Sequence, residues 1–307
     1  MNQKTLLALY ALSLLFIYGC DNKITSIEEL GQIDERIVVH KDLERSFLIY
    51  IPHNLKENPA LIVAIHGYTS SAKTLMDYSS INDIADREGF LVVYPQGTKD
   101  SRNNNFFNVG YEFHSDSNID DVSFIRKIVT DLKEEYKLDS KRIFATGMSN
   151  GGDMSYLLAC TSSDIFSAIA PVAGVMMKDT LESCNPKNGI PVFEIHGTKD
   201  SISKFYGDME NKDKWGPYYD LPTTIQFWSN KLGLKEKETT LLEDKDTSDG
   251  TTITFQRYWS KESDKEVWFY IVNEGNHTWP GMKGFFGRTA NQDINTAEEI
   301  WSFFKKY

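Results

Sequence analysis

The 307-residue chain carries 44 acidic against 33 basic side chains, a formal net charge of -11, and 40% hydrophobic residues. That is enough apolar material for a full core, in one large α/β domain or two small ones, of which one is the simpler reading. The acidic balance and the absence of any basic cluster argue against nucleic acid as a partner, because phosphate binding needs concentrated Lys and Arg.

The N-terminus differs from the rest. Lys4 precedes an apolar run from Thr5 to Gly19 that is too short for a comfortable membrane span, the pattern of an export signal. Its end, Ile17-Tyr18-Gly19-Cys20, resembles the lipobox of bacterial lipoproteins, whose cysteine becomes the lipid-bearing first residue of the mature chain. The expectation is a signal peptide over residues 1–20, a membrane anchor through lipid on Cys20, a polar tether over residues 21–35 and one domain over residues 36–307. The address is then the cell envelope, or the exterior if Cys20 is not lipidated. In such an oxidising compartment Cys160 and Cys184 can pair, the alternative being two separate buried thiols.

Two β-rich runs, Arg36 to His40 and Arg45 to Ile51, predict a hairpin ended by Pro52. Ala60 to Ile65 and Phe90 to Tyr94 are continuous apolar runs of the kind shown by strands covered on both faces, with a helix over Leu75 to Arg87 between them. Strand, helix, strand at this spacing implies a parallel sheet. Thr98 to Asn118 is a polar segment interrupted by aromatics, long enough to be functional. Val122, Ile125, Val129, Leu132 and Tyr136 fall on one helix face, with Asp120 and Asp121 as its starting residues. Further strands are expected at Lys141 to Thr146, Phe166 to Ala173, Ile190 to Ile195, Thr252 to Trp259 and Val267 to Val272. Helices are expected after Gly152, over Thr223 to Leu232 and over Ile294 to Phe304, with Trp228 and Trp301 in the core. The fold class is α/β, a doubly wound and mostly parallel sheet with helices on both faces, whose functional loops gather at the carboxyl ends of the strands.

Three of those loops carry chemistry. Gly147-Met148-Ser149-Asn150-Gly151-Gly152 lies between a strand and a helix, the context in which G-x-S-x-G is a nucleophile elbow. Asp200 follows one strand and His277 follows the last, giving the chain order Ser, Asp, His. A serine hydroxyl needs a base to take its proton, a role for His277, while Asp200 would hold the imidazole tautomer. Asp208, Asp213 and Asp220 occupy the same segment and remain alternatives to Asp200. An oxyanion hole is expected from the backbone N–H of Asn150 and of Tyr68, with Thr69 as the alternative to Tyr68. Trp279, Phe107 and Tyr111 are candidates for stacking on substrate. No metal or cofactor is called for.

Together with His66-Gly67-Tyr68, Tyr94-Pro95-Gln96-Gly97, Asp120-Asp121-Val122, His196-Gly197-Thr198-Lys199-Asp200 and His277-Thr278-Trp279-Pro280-Gly281, the elbow resembles the polyhydroxybutyrate depolymerase and feruloyl esterase branch of the α/β-hydrolases. The resemblance implies the α/β-hydrolase fold, a triad of Ser149, Asp200 and His277, and an ester substrate drawn from polyesters or cell-wall polysaccharides. The first reading is a secreted or lipid-anchored serine esterase acting on feruloyl or acetyl esters of polysaccharide. The alternatives are a polyhydroxyalkanoate depolymerase or oligomer hydrolase, and a non-catalytic lipoprotein that binds ligand on this fold.

Overall fold

The structure, a computed structural model, describes residues 31–282 and 290–307. The expected signal peptide, Cys20 and most of the expected tether lie outside the described residues. No helix among the described residues is long and apolar enough to cross a membrane.

Strand β1 (Gln32–His40) pairs antiparallel with β2 (Leu43–Ile51) across Lys41 and Asp42. Both turn residues have positive φ, the backbone a two-residue hairpin needs to match strand twist. β1 therefore begins at Gln32, inside the segment expected to be tether, because the whole of it finds partners on β2. β3 (Leu61–Ile65) is buried at every position. The single helix expected next is two, α1 (Ala72–Ser79) and α2 (Ile81–Glu88), separated by Ser80 at φ 57. The break re-aims the chain so that Leu75 and Ile84 both face the sheet.

β4 (Leu91–Pro95) follows, then the short ribbon of β5 (Thr98–Lys99) and β6 (Asn105–Phe106) and the long helix α3 (Asp121–Tyr136). Asp120 caps α3 by accepting the Ser123 N–H, and Asp121 is buried against Arg45 of β2, so both aspartates are structural. β7 (Ile143–Met148) leads into α4 (Asn150–Thr161), β8 (Ala168–Val172), the short α5 (Lys178–Ser183), β9 (Val192–Gly197) and α6 (Leu221–Lys231). The last elements are β10 (Glu236–Leu241), β11 (Thr252–Trp259), β12 (Val267–Asn273) and α7 (Thr296–Phe304). β10 was not expected. Its sequence is nearly all polar and every residue is exposed, so an edge strand here carries no apolar alternation to read.

The sheet has ten strands in the order β1-β2-β4-β3-β7-β8-β9-β12-β11-β10. The middle six run parallel and two antiparallel strands extend each edge. Alternating side chains divide the core into two layers. Leu61, Val63 and Ile65 point to the layer shared with α3, α4 and α6; Ile62 and Ala64 point to the one shared with α1, α2 and α7. Trp228 and Trp301 sit one in each layer. This is the α/β-hydrolase architecture, and it brings the carboxyl ends of β3, β7, β9 and β12 to one rim. Cys160, in the last turn of α4, is joined to Cys184 just after α5 by a disulfide.

Candidate active site

Ser149 is the residue on which β7 turns into α4, at φ 57 and ψ -123. A non-glycine residue avoids that region unless its surroundings enforce it. Here Ser149 donates its N–H to the Val172 carbonyl of β8, and the helix start is packed so closely on β3 that a Cβ at Gly151 would lie 1.9 Å from the Ile65 carbonyl oxygen. Only glycine permits that approach, and the approach is what makes the turn sharp. Asn150 is fully buried, and its side-chain amide exchanges two hydrogen bonds with the backbone of Phe107, tying the long polar loop to the elbow.

Asp200 and His277, the expected orienter and base, lie side by side. Asp200 follows β9, and its Oδ1 accepts the N–H groups of Ile202 and Ser203. Its Oδ2 lies 2.6 Å from His277 Nδ1, which follows β12. The two loops can touch because Gly197 leaves no Cβ: one built there would be 2.3 Å from the Gly275 carbonyl oxygen. Burial works against the charge on Asp200, but the neighbouring His277 and His196 outweigh it and hold the carboxyl below its usual range. The other aspartates of the segment are engaged elsewhere. Asp208 accepts the N–H groups of Lys212 and Asp213, Asp213 pairs with Lys204, and Asp220 caps α6.

His277 and Ser149 line one cleft of about 540 Å³ with Gly67, Tyr68, Tyr78, Met148, Trp215 and Met282. No hydrogen bond joins the Ser149 hydroxyl to His277 in this structure. Ser149 also borders a much smaller cavity of about 10 Å³, lined by Tyr111, Asp153, Met177, Trp215 and Tyr218 among others. Trp215 and Ile202, like Ser149, line both spaces.

The loop after β3 reaches Ser149. A Cβ built on Gly67 would lie 3.9 Å from Ser149 Oγ. Thr69, the alternative oxyanion donor, sits at φ 69 and donates its N–H to the Asn105 carbonyl, which leaves the Tyr68 N–H as the candidate beside that of Asn150. Tyr68 is held through its hydroxyl, which donates to Asp100 and accepts from Asn104. His66 anchors the loop from below: Nδ1 faces the Gly67 carbonyl, so Nε2 is the acceptor for the Gly97 N–H. Burial drives the His66 pKa down to about 4, keeping the ring neutral.

The stacking candidates do not all reach the cleft. Trp279 is 2% exposed in the core layer of α1 and α7, with its ring against Tyr78. Phe107 is fully buried against His66. Neither ring is open to a substrate, because the loops that carry them fold their aromatics inward to cover the sheet end. Tyr111 borders the small cavity, but its hydroxyl is already bonded to Asp153 at 2.6 Å. With Tyr68 and Tyr78, the cleft is lined by Trp215, which packs against Tyr68, Tyr111 and Phe113. Nothing around it in sequence marked it, since it lies between two irregular loops.

A family model described as Esterase PHB depolymerase matches residues 45–203, more than half of the chain. The chain belongs to that esterase family. The match runs from β2 through the elbow to the loop that carries Asp200. Among sequence relatives, the bifunctional acetylxylan esterase/xylanase of Neocallimastix patriciarum is 27% identical over 161 residues, 52% of this chain and 22% of that protein. The putative esterase NocK of Nocardia uniformis subsp. tsuyamanensis is 26% identical over 235 residues, 74% of this chain and 67% of that one. The chain thus spans about a fifth of the first relative and two thirds of the second. Among solved structures, the acetyl xylan esterase from Aspergillus awamori superposes with a TM-score of 0.62 over 89% of this chain and 100% of that one, at 16% identity, a likeness of fold.

Proposed function

We propose that the chain hydrolyses carboxylic esters through an acyl-enzyme on Ser149, with His277 as general base and Asp200 as its orienter. What carries this reading is that a serine held at positive φ on a strand-to-helix turn and a histidine bonded to a buried carboxylate line the same cleft. In the proposed cycle His277 Nε2 takes the hydroxyl proton as Oγ attacks the ester carbonyl, and Asp200 stabilises the imidazolium without taking up the proton. The N–H groups of Tyr68 and Asn150 receive the oxyanion. The alcohol leaves with the proton from His277, and water repeats the sequence to release the acid.

The two unequal spaces that Ser149 lines favour a small acyl group and a large alcohol. A cavity of about 10 Å³ admits little more than a methyl group, whereas the cleft of about 540 Å³ can take part of a sugar chain. The proposed substrates are therefore acetyl esters of polysaccharide rather than feruloyl esters, acting at the cell envelope if Cys20 is lipidated.

Hydrolysis of p-nitrophenyl esters tests both parts. The acetate should turn over fastest, with a fall of about tenfold or more by the hexanoate, and Ser149→Ala should abolish the activity. Equal rates for wild type and Ser149→Ala would leave a ligand-binding protein. The family match keeps a polyester substrate in view, and clearing of a polyhydroxybutyrate suspension without acetate release from xylan would select it. Fatty-acid labelling that persists in Cys20→Ser would remove the proposed anchor.

A further inference from the structure

Behind Asp200 lies a second histidine with no part in the cycle above. Glu194 and His196 are two residues apart on β9, so both point to the same face of a central strand, and both are buried. His196 Nδ1 lies 2.8 Å from Glu194 Oε1, and Nε2 lies 2.7 Å from the Ser203 carbonyl oxygen and 3.5 Å from Asp200 Oδ2. That is the same carboxylate oxygen that binds His277.

Both ring nitrogens of His196 therefore face acceptors. A carbonyl cannot donate, so Nε2 carries a proton. One further proton is shared along the line between Nδ1 and Glu194 Oε1. Glu194 already accepts the Tyr156 hydroxyl of α4 at its other oxygen and the Gly174 N–H, both of which favour the carboxylate. Imidazole is also intrinsically the more basic partner.

We propose that His196 is a positioning residue, an imidazolium locked between Glu194 and Asp200 that keeps Asp200 ionised and fixed against His277. The proposal rests on the reading of Asp200 and His277 as the catalytic pair. The groups facing His196 are Glu194 of β9, Asp200 and the Ser203 carbonyl of the following loop, and the edge of Phe205; Tyr156 and Asp153 of α4 act on it through Glu194 and at longer range. Burial opposes the charge on His196, yet Glu194 and Asp200 prevail and raise its pKa to about 9. The cation also offsets part of the field that Asp200 exerts on His277.

Nitrogen-15 histidine NMR of the wild-type protein decides the protonation state whether or not any ester is turned over. The signals lost in His196→Gln should show two protonated ring nitrogens from about pH 6 to about pH 8, and in Glu194→Gln the same ring should become neutral over that range. A wild-type His196 with an unprotonated Nδ1 near neutral pH would overturn the proposal. In the esterase assay, both variants should lose about tenfold in kcat with KM within about twofold, and their acid limb of kcat/KM should move up by about half a pH unit or more. Wild-type kcat and an unmoved acid limb in both variants would also overturn it. Loss of esterase activity from the wild type itself would sink the catalytic reading while the NMR result stood.

Discussion

At the scale of single residues, the site is built from side chains held where they would not otherwise rest. Ser149 occupies a backbone region that costs a non-glycine residue about 1 to 3 kcal/mol. Ser149→Gly should therefore raise stability by about 1 kcal/mol in denaturant unfolding while eliminating esterase activity, a separation that a merely structural serine would not give. Asp200 and Asp208 are both buried acceptors of two backbone N–H groups, but only Asp200 also faces a histidine. Asp200→Asn should lower kcat by about 10³ to 10⁴ through the wrong tautomer of His277. Asp208→Asn should leave kcat within about threefold and cost about 1 kcal/mol of stability, since the amide can satisfy fewer of the loop N–H groups.

At the scale of elements, two ties join segments distant along the chain. His66 connects the end of β3 to the loop after β4 as a neutral ring, accepting the Gly97 N–H. Its pKa is depressed in the fold to about 4, so its contribution is present above the unfolded value and is lost as pH falls from about 6.5 to about 4. That loss amounts to about 3 kcal/mol, and in His66→Gln the unfolding free energy should lose this pH dependence. The disulfide is the second tie, fastening the end of the elbow helix to the α5 segment. For a loop of this length the chain-entropy model gives about 3 kcal/mol, so Cys160→Ser with Cys184→Ser should lower Tm by about 5 to 10 °C with kcat nearly unchanged.

At the scale of the whole molecule, a negatively charged chain is held by carboxylates that work best ionised. Opposed by their own burial, Asp120 and Glu266 are nevertheless drawn down to about 2 by hydrogen bonds and by Lys41 in the first case and Arg257 in the second, and Asp100 and Asp200 also fall below the usual range. Depressed carboxylates stabilise the fold above their unfolded pKa and cease to do so as pH drops through the folded one. The unfolding free energy should thus decline steeply between about pH 4 and about pH 2. Asp153, which burial raises to about 7, acts the other way between about pH 4 and about pH 7, offsetting the loss from His66 and leaving a shallow plateau there.

The sequence by itself determined the architecture, because continuous apolar strands alternating with one-sided helices have few other ways to bury their surfaces. It also determined the chain order of serine, aspartate and histidine, since each follows a strand and strand ends in such a sheet share a rim. What only the tertiary structure decided was the content of the space around them. Phe107, Trp279 and Trp215 look alike as aromatic loop residues, yet the first two fold inward and the third faces the cleft, because loop packing and not local pattern sets the direction of a ring. The polar edge strand β10 and the partnership of His196 with Glu194 were hidden for the same reason: pairing across a sheet and proton sharing in its interior depend on distances that no spacing along the chain records.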